Sequence, residues 1–175
     1  MNDEALFSEN QSFRQIWIWV ILIGINGVMI TGLLQQLLLG RQFGDEPLSD
    51  AGLILVTILT FGFTAWFFTL HLETRISKDG IGVRFSPFHR KMLFYSKQEI
   101  AEAYVRVYKP IREYGGWGLR GLGKNRALNV SGNMGIQLVM RNGHRLLIGT
   151  RSGEDAAHAL SQIGLGTATS SMNKT

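Results

Sequence analysis

The stretch that most restricts the fold is Ala51–Leu72, which contains no Asp, Glu, Lys or Arg. At a rise of ~1.5 Å per residue it would form a helix about 33 Å long, and the hydrocarbon core of a bilayer is about 30 Å thick. A second long apolar run, Ile16–Leu39, precedes it. The sequence therefore predicts a transmembrane hairpin with helices over residues 16–39 and 51–72 and a loop over residues 40–50.

The distribution of charge predicts the orientation of this hairpin. Residues 1–72 carry two Arg against six acidic residues, whereas residues 73–175 carry sixteen Lys and Arg against seven acidic residues. Because Lys and Arg near the ends of spans collect on the cytoplasmic side, the basic residues after the second span place that end inside. We expect an external loop and a protein integral to the bacterial inner membrane with both termini cytoplasmic.

The N-terminal segment, residues 1–15, is polar and acidic. A secretory signal has a positive start, a short apolar core and a cleavage site with small residues, and this segment and the run after it have none of these. We therefore expect the first helix to remain on the protein, with residues 1–15 as a cytoplasmic segment.

Small and polar residues in the two runs predict how the helices pack. Residues three and four apart share a helix face, and small residues on such a face allow close backbone approach in lipid. A single Asn inside a bilayer is expected to donate a hydrogen bond across a helix pair or an oligomer, and the alternative is a ligand or transport site. The predicted packing residues are Gly24, Asn26, Gly27, Thr31, Gly62, Ala65 and Thr69.

After residue 72 the sequence changes to short alternating segments separated by turn residues, which is typical of antiparallel strands. Lys78-Asp79-Gly80 and Asn142-Gly143 are hairpin turn signals. A helix is predicted after Ser152, with Ala156, Ala159, Leu160 and Ile163 on one face and Gly164 as its end. We expect a soluble domain over residues 73–164 with about seven strands and a C-terminal helix, followed by a disordered tail over residues 165–175.

Catalytic chemistry finds little support in the sequence. The chain has no Cys, its His residues lack the spacing of metal ligands, and no acid–base or nucleophile set stands out. Two glycine patterns that resemble phosphate-binding loops end at Gly121 and Lys124, but the residues that follow are strand-like, and such loops need a helix N-terminus there. We expect no enzyme, no cofactor and no metal.

The segment Tyr108–Trp117 is the predicted interaction surface of the soluble domain. Pro110 interrupts strand pairing and Gly115-Gly116 permits a tight turn, so the residues between them lie on a loop, where binding residues collect. The alternative is that the aromatic residues fill the end of a barrel, with Arg112 and Glu113 as a solvated pair. The candidate residues are Tyr108, Arg112, Glu113, Tyr114 and Trp117.

A second candidate surface is basic. Cations beside a membrane anchor can contact anionic headgroups, and the alternative is a solvated strand rim. Nucleic acid is not expected, because an anionic lipid surface is already adjacent. The candidate headgroup contacts are Arg75, Lys78, Arg84, Arg90 and Lys91.

Several segments carry a resemblance that covers most of the chain. They are Leu72–Ile76, Gly80–Phe88, Ala103–Tyr108, Pro110–Gly118, Asn129–Asn133 and Leu147–Thr150. Together they resemble an uncharacterised bacterial family of two-helix membrane proteins with a pleckstrin-homology-like (PH-like) cytoplasmic domain. The resemblance implies an α+β membrane protein with a PH-like antiparallel barrel or sandwich, and it supplies no catalytic residues.

These observations lead to two functional hypotheses. The first is a membrane-anchored, non-catalytic binding or scaffold module that recognises headgroups or a protein segment. The second is an accessory subunit that docks into a membrane complex, or onto another copy of itself, through its helices. An enzyme acting on nucleotide or lipid is disfavoured.

Overall fold

The computed structural model describes residues 5–121 and 123–166. They form two compact units, one made of residues 14–69 and another that combines the residues before 14 with those after 69. The first unit is helical and the second contains the sheets, so the chain is α+β as predicted.

The helical unit contains α1 (Ile16–Leu33), which continues as a π-helical segment (Leu34–Leu38), and α2 (Asp50–Phe68). Ser49 caps α2, since its Oγ accepts a hydrogen bond from the Gly52 amide at 3.2 Å. The two apolar stretches are 23 and 19 residues long with mean hydropathies of 2.1 and 2.0. Both helices are thus long and apolar enough to cross a membrane.

The second helix ends at Phe68 rather than at the predicted Leu72. His71 and Leu72 are the first residues of a strand and pair with Ser86 and Phe85. A run of apolar residues does not by itself distinguish the end of a helix from the start of a buried strand, which explains the error.

The first sheet has four antiparallel strands in the order β1 (Phe7–Ser12), β2 (His71–Ser77), β3 (Gly80–Ser86) and β4 (Leu93–Ser96). The predicted hairpin around Lys78-Asp79 is confirmed, since Ser77 pairs with Gly80. The strand β1 was not predicted. Its residues read as a polar segment because only Phe7 contributes a large apolar side chain to the core.

The second sheet has five strands: β5 (Ile100–Val107), β6 (Gly118–Arg120), β7 (Asn125–Asn129), β8 (Met134–Met140) and β9 (Arg145–Gly149). Their order across the sheet is β5-β8-β9-β7-β6, so the described residues form nine strands in two open sheets.

The hairpin of β8 and β9 is confirmed, with the His144 amide donating to Oδ1 of Asn142 at 3.0 Å. The expectation of purely antiparallel pairing is wrong at one place, because β7 and β9 are parallel. The chain reverses direction once between β7 and β8 and again between β8 and β9, so β7 and β9 run the same way. Because β9 lies between β8 and β7 in the sheet, β7 and β9 pair in parallel.

The core of this unit contains fully buried aliphatic side chains from both sheets, among them Ile76, Ile81, Ile136 and Ile148. The predicted C-terminal helix is confirmed as α4 (Gly153–Gln162), which buries Ala156, Ala159 and Leu160 and contacts strands of both sheets. Most of the predicted tail, residues 167–175, lies outside the described residues.

Polar contacts attach β1 to the second sheet as well as to β2. Gln11 is 1% exposed, and its Nε2 donates to the Gly149 carbonyl at 2.7 Å. The Glu9 carboxylate accepts hydrogen bonds from the Thr150 hydroxyl at 2.6 Å and the Arg151 amide at 2.9 Å. Arg151 in turn donates to the Ser12 carbonyl at 3.0 Å. Strand β1 is therefore an integral part of the sheet unit.

The pairing of β1 with β2 can be tested with cysteines, because the chain has none of its own. Ser8 and Arg75 are register partners, and the Cα atoms of directly opposed residues lie about 4.5 to 5.5 Å apart, within reach of a disulfide. Ser8→Cys with Arg75→Cys should form an intramolecular disulfide on mild oxidation. It is detected when the two halves stay together after cleavage at a protease site inserted into the loop of residues 40–50.

The matched control is Ser8→Cys with Ser86→Cys, since Ser86 lies opposite His71, roughly 13 Å further along the strands. It should not cross-link. Equal cross-linking of both pairs, or of neither, would contradict the register.

Candidate functional site

The predicted interaction segment folds as a short helix, α3 (Pro110–Tyr114), rather than as a loop. Pro110 occupies the first turn, where its missing N–H costs nothing. The Lys109 amide donates to Oε1 of Glu113 at 2.7 Å, which satisfies a donor at the N-terminus. Gly115 ends the helix with a left-handed φ of 72°, and its amide donates to the Ile111 carbonyl at 2.9 Å.

Tyr108 is part of the core and not of the surface on which the sequence placed it. Its side chain is 1% exposed and packs with Ala127 and Leu147. Nδ2 of Asn129 donates to its hydroxyl at 2.9 Å, and the Tyr114 ring meets it edge-on at 6.1 Å. Burial raises the pKa of Tyr108, so the phenol stays protonated and neutral. Its position directly after β5 gave no sequence signal that the chain turns it inward.

Arg106 fixes α3 on the second sheet. Its Nη2 lies 2.7 Å from Oε2 of Glu113 and donates more weakly to the Tyr114 hydroxyl at 3.4 Å, while its Nε donates to Oε1 of Gln137 at 3.1 Å. The hydrogen bond from Arg106 lowers the pKa of Glu113. Burial alone would lower the pKa of Arg106, but the bond to Glu113 raises it, so both groups stay charged at neutral pH.

Sequence reasoning missed the role of Arg106. The signal available was its alternation with Val105 and Val107 along β5, which placed it on the polar face of that strand. Its partner could not be read locally, because Glu113 follows after a strand end and a new helix. The alternative solvated pair of Arg112 and Glu113 is not what forms.

Trp117 is half-buried, so it neither plugs the core nor lies free on the surface. Its Nε1 donates to the Gly132 carbonyl at 3.0 Å. The neighbouring Gly118 amide donates to Oδ1 of Asn129 at 2.8 Å, the same side chain that bonds Tyr108. Asn129 therefore links the backbone that follows Trp117 to the buried Tyr108.

Of the predicted candidates, Arg112 and Glu113 are exposed, and apolar side chains that the sequence analysis did not name are exposed beside them. Val107, at the end of β5, is 59% exposed, and Ile111 in α3 is 68% exposed. Arg112, the next residue of α3, is also exposed. These three residues are named the α3 surface. A shallow depression of about 290 Å³ lies beside it, lined by Arg106, Glu113, Tyr114, Gly121, Asn125, Gln137 and Arg145.

Neither metal nor phosphate chemistry is supported within the described residues. Residues 5–121 and 123–166 hold no group of three or more His, Cys, Asp and Glu residues that could bind a metal ion. Strand β7 follows directly after Lys124, as the sequence predicted, so the helix N-terminus that a phosphate-binding loop needs does not follow there.

The five candidate headgroup residues do not form one patch. Arg75 and Arg84 both pair with Glu73 at 2.6 Å. Burial alone would raise the pKa of Glu73, but the hydrogen bonds from Arg84 and Arg75 lower it, so this carboxylate offsets one of the two cations. Lys78 lies in the β2–β3 turn, at the opposite end of β2 from His71 and roughly 20 Å away along the strand.

Arg90 and Lys91 lie in the connection between β3 and β4, and both are exposed. Within the part of the chain that the structure describes, neither forms an ion pair. Of the five cations, these two therefore retain uncompensated charge near the end of the sheet that joins the helices.

Within the helical unit, Asn26 bridges α1 and α2. Its Nδ2 donates to the Thr64 hydroxyl at 2.8 Å and to the Leu22 carbonyl at 2.7 Å. Trp19 packs edge-on against Phe67 and Phe68, with ring centroids 6.1 and 5.9 Å apart. The cross-helix role expected for Asn26 is therefore present within the chain.

The small-residue faces do not form this helix pair, contrary to expectation. A Cβ added at Gly24, Gly27 or Gly62 would meet nothing within 4 Å, and Ala65 is exposed. The hydroxyls of Thr31 and Thr69 bond within their own helices, to the carbonyls of Gly27 and Trp66. Asn26 and Thr64 thus face each other across the pair, whereas Gly24, Gly27 and Gly62 do not. The buried residues of α1 and α2 are Leu22, Asn26, Gly32, Leu53 and Thr57, and the ring of Phe43 lies against Gly32.

No family model matches the chain, and no curated protein matches it. The family resemblance of the sequence segments therefore remains a prediction, and the function is argued from the geometry above.

The division of the α3 segment into core and surface can be tested by two substitutions. Tyr108→Phe removes the hydroxyl that accepts from buried Asn129, and an unsatisfied buried donor costs about 1 to 3 kcal/mol of the free energy of unfolding. Ile111→Ala should change it by less than about 0.5 kcal/mol, because the side chain is mostly exposed. Denaturant unfolding of the full chain in mild detergent measures both, and equal losses would contradict this division.

Proposed function

We propose that the protein is a membrane-anchored, non-catalytic binding module in which a PH-like sheet unit is held at the inner membrane by a two-helix hairpin. The observation that carries the proposal is the pairing of β1 with β2, the two strands that flank the apolar helices in sequence. Ser12 opposes His71, so the chain enters and leaves the helical segment at neighbouring points.

This pairing supports an even number of membrane crossings. If only one helix crossed, β1 and β2 would lie on opposite sides of the bilayer and could not share a ladder of hydrogen bonds. It also argues against a cleaved signal sequence, because removal of α1 would remove β1, whose Gln11 and Phe7 are buried in the sheet unit.

The low burial of both helices supports the membrane anchor further. Only 17% and 11% of their most apolar windows are buried within the chain, whereas the core helix of a soluble protein is mostly buried. Helices that are apolar all round and uncovered need an apolar solvent, and a bilayer supplies it. The basic residues after α2 favour the cytoplasm as the side of the sheet unit.

The α3 surface supports a binding role for the sheet unit. Arg106, Glu113 and Gly115 fix the backbone of α3, so its exposed Ile111 and Arg112 are presented on a rigid support. Arginine is one of the residue types enriched in protein-recognition hot spots, and the exposed Ile111 beside Arg112 adds apolar area. The occupant we favour is a protein segment with an acidic residue that meets Arg112. The two open sheets and α4, which contacts both, are consistent with a PH-like arrangement.

A specific observation also favours the second candidate, an accessory subunit of a membrane complex. Gly24, Gly27 and Gly62 are not used in the chain's own helix pair, so these faces are open to another transmembrane helix. The two candidates differ in which surface holds the partner.

The orientation of the anchor can be tested with reporter fusions. Alkaline phosphatase fused at Glu46, in the loop between the helices, should be active, and the same enzyme fused at Lys174 should be inactive, because it folds only outside the cytoplasm. The opposite activities would overturn the orientation. Equal activity of the two fusions would place the loop and the C-terminus on the same side of the membrane, which would contradict two crossings joined by an external loop.

The surface that holds the partner can be tested on native complexes extracted in mild detergent. Ile111→Asp with Arg112→Glu should release most of any associated protein, while Gly27→Leu with Gly62→Leu should retain it. Lys97→Glu with Gln98→Asp, at two exposed residues between β4 and β5, changes the net charge by the same amount; it is the matched charge control and should retain the partner as well. Release by the Gly27 and Gly62 variant with retention by the Ile111 and Arg112 variant supports the accessory subunit. Retention by every variant contradicts binding at the α3 surface.

A further inference from the structure

The connection between β3 and β4, residues 87–92, combines an exposed aromatic side chain with two exposed cations. Phe88 is 54% exposed, and Arg90 and Lys91 follow it. An aromatic ring beside Lys and Arg is the composition that binds the interface of an anionic bilayer, where the ring reaches the acyl boundary and the cations meet headgroups.

The register of the first sheet places this connection at the end that joins the helices. Ser12, His71 and Ser86 are neighbours across β1, β2 and β3. Phe88 is two residues beyond Ser86. The other connection within the first sheet, the β2–β3 turn with Lys78, lies at the opposite end.

The length of the chain then limits how far this end lies from the anchor. Only two residues, Thr69 and Leu70, separate Phe68, the last residue of α2, from His71, and the three residue steps between them span at most about 10 Å when extended. The headgroup region adds several ångströms on each side of a bilayer's hydrocarbon core. A sheet end tied this closely to a spanning helix is within reach of the headgroups.

Local contacts hold Phe88 in a defined position. Its ring stacks on Phe85 with a centroid distance of 5.8 Å, and Phe85 is 1% exposed. The His89 amide donates to the Phe85 carbonyl at 2.8 Å, and Nδ1 of His89 accepts from the Phe85 amide at 3.2 Å. Burial lowers the pKa of His89, and the positive charge of nearby Arg126 lowers it further. The ring therefore stays neutral at pH 7, and its Nδ1 can accept this hydrogen bond. The exposed ring is therefore supported from beneath by the core.

We propose that residues 87–92 form an interfacial contact of the sheet unit with the bilayer leaflet that α1 and α2 enter. Phe88 lies at the acyl boundary, and Arg90 and Lys91 bind anionic headgroups. This contact rests on the proposed membrane anchor. It assigns headgroup binding to two of the five basic candidates and excludes Lys78.

The test uses the full chain reconstituted into vesicles of phosphatidylcholine with phosphatidylglycerol. An environment-sensitive fluorophore is attached to a single cysteine at one of three sites: Phe88→Cys, Lys78→Cys or Gly62→Cys. Quenchers carried on the lipid acyl chains near the headgroup should quench the label at position 88, where the fluorophore replaces the ring. The label at position 78 is the matched control from the opposite end of the sheet and should remain in water.

The label at position 62 separates this inference from the membrane anchor. It lies within α2, where an added side chain meets nothing within 4 Å, and deep acyl quenchers should reach it. Deep quenching at 62 with no quenching at 88 overturns the interfacial contact alone. No quenching at 62 overturns the anchor and the contact with it.

The role of the cations is tested in the same vesicles by Arg90→Glu with Lys91→Glu in the background labelled at 88. Most of the quenching at 88 should be lost, and it should also fall when phosphatidylglycerol is omitted. Lys78→Glu with Lys97→Glu is the matched control and should leave the quenching unchanged. Quenching that persists in both cases overturns the role of the cations. Folding of each charge variant is verified in separate, unlabelled copies that keep Phe88 and carry Ser8→Cys with Arg75→Cys, in which the disulfide should still form.

Discussion

The pairing of β1 with β2 is the contact on which the rest of this structure depends. It closes a loop around the entire helical segment, so the chain enters and leaves that segment at two residues, Ser12 and His71, that lie opposite each other in the sheet. Gln11 and Glu9 extend the connection to Gly149 and Thr150, so β1 joins the two sheets as well. Closing so large a loop costs conformational entropy, which these buried contacts offset.

The polar contacts around α3 show how a short element becomes a rigid support. A five-residue helix is not stable alone, because nucleating a helix costs more than one turn recovers. The bonds of Arg106 to Glu113 and Gln137, together with the cap at Gly115, hold it against the sheet. The side chains that the helix exposes are then available to a partner without further ordering.

The sequence predicted the elements whose signals are local. Long apolar runs gave the two helices, Asn142-Gly143 and Lys78-Asp79 gave two hairpins, and the spacing of Ala156, Ala159 and Leu160 gave the face of α4. It did not predict β1, because a polar strand held by Gln11 and Glu9 has no apolar alternation. It placed Tyr108 on the surface, because Pro110 and Gly115-Gly116 nearby predicted an exposed loop. The Tyr108 side chain is instead buried in the core.

The sequence by itself determined that the chain is α+β, that two of its helices are apolar enough for a membrane, and where its tight turns lie. These properties follow from side chains a few residues apart. Only the tertiary structure decided that β7 runs parallel to β9, that Asn26 meets Thr64, that Arg106 meets Glu113, and that Phe88 follows the sheet end next to the helices. Each of these contacts joins segments that are distant in the sequence. Which segments become neighbours is decided by strand register and buried hydrogen bonds, and these form only in the tertiary structure.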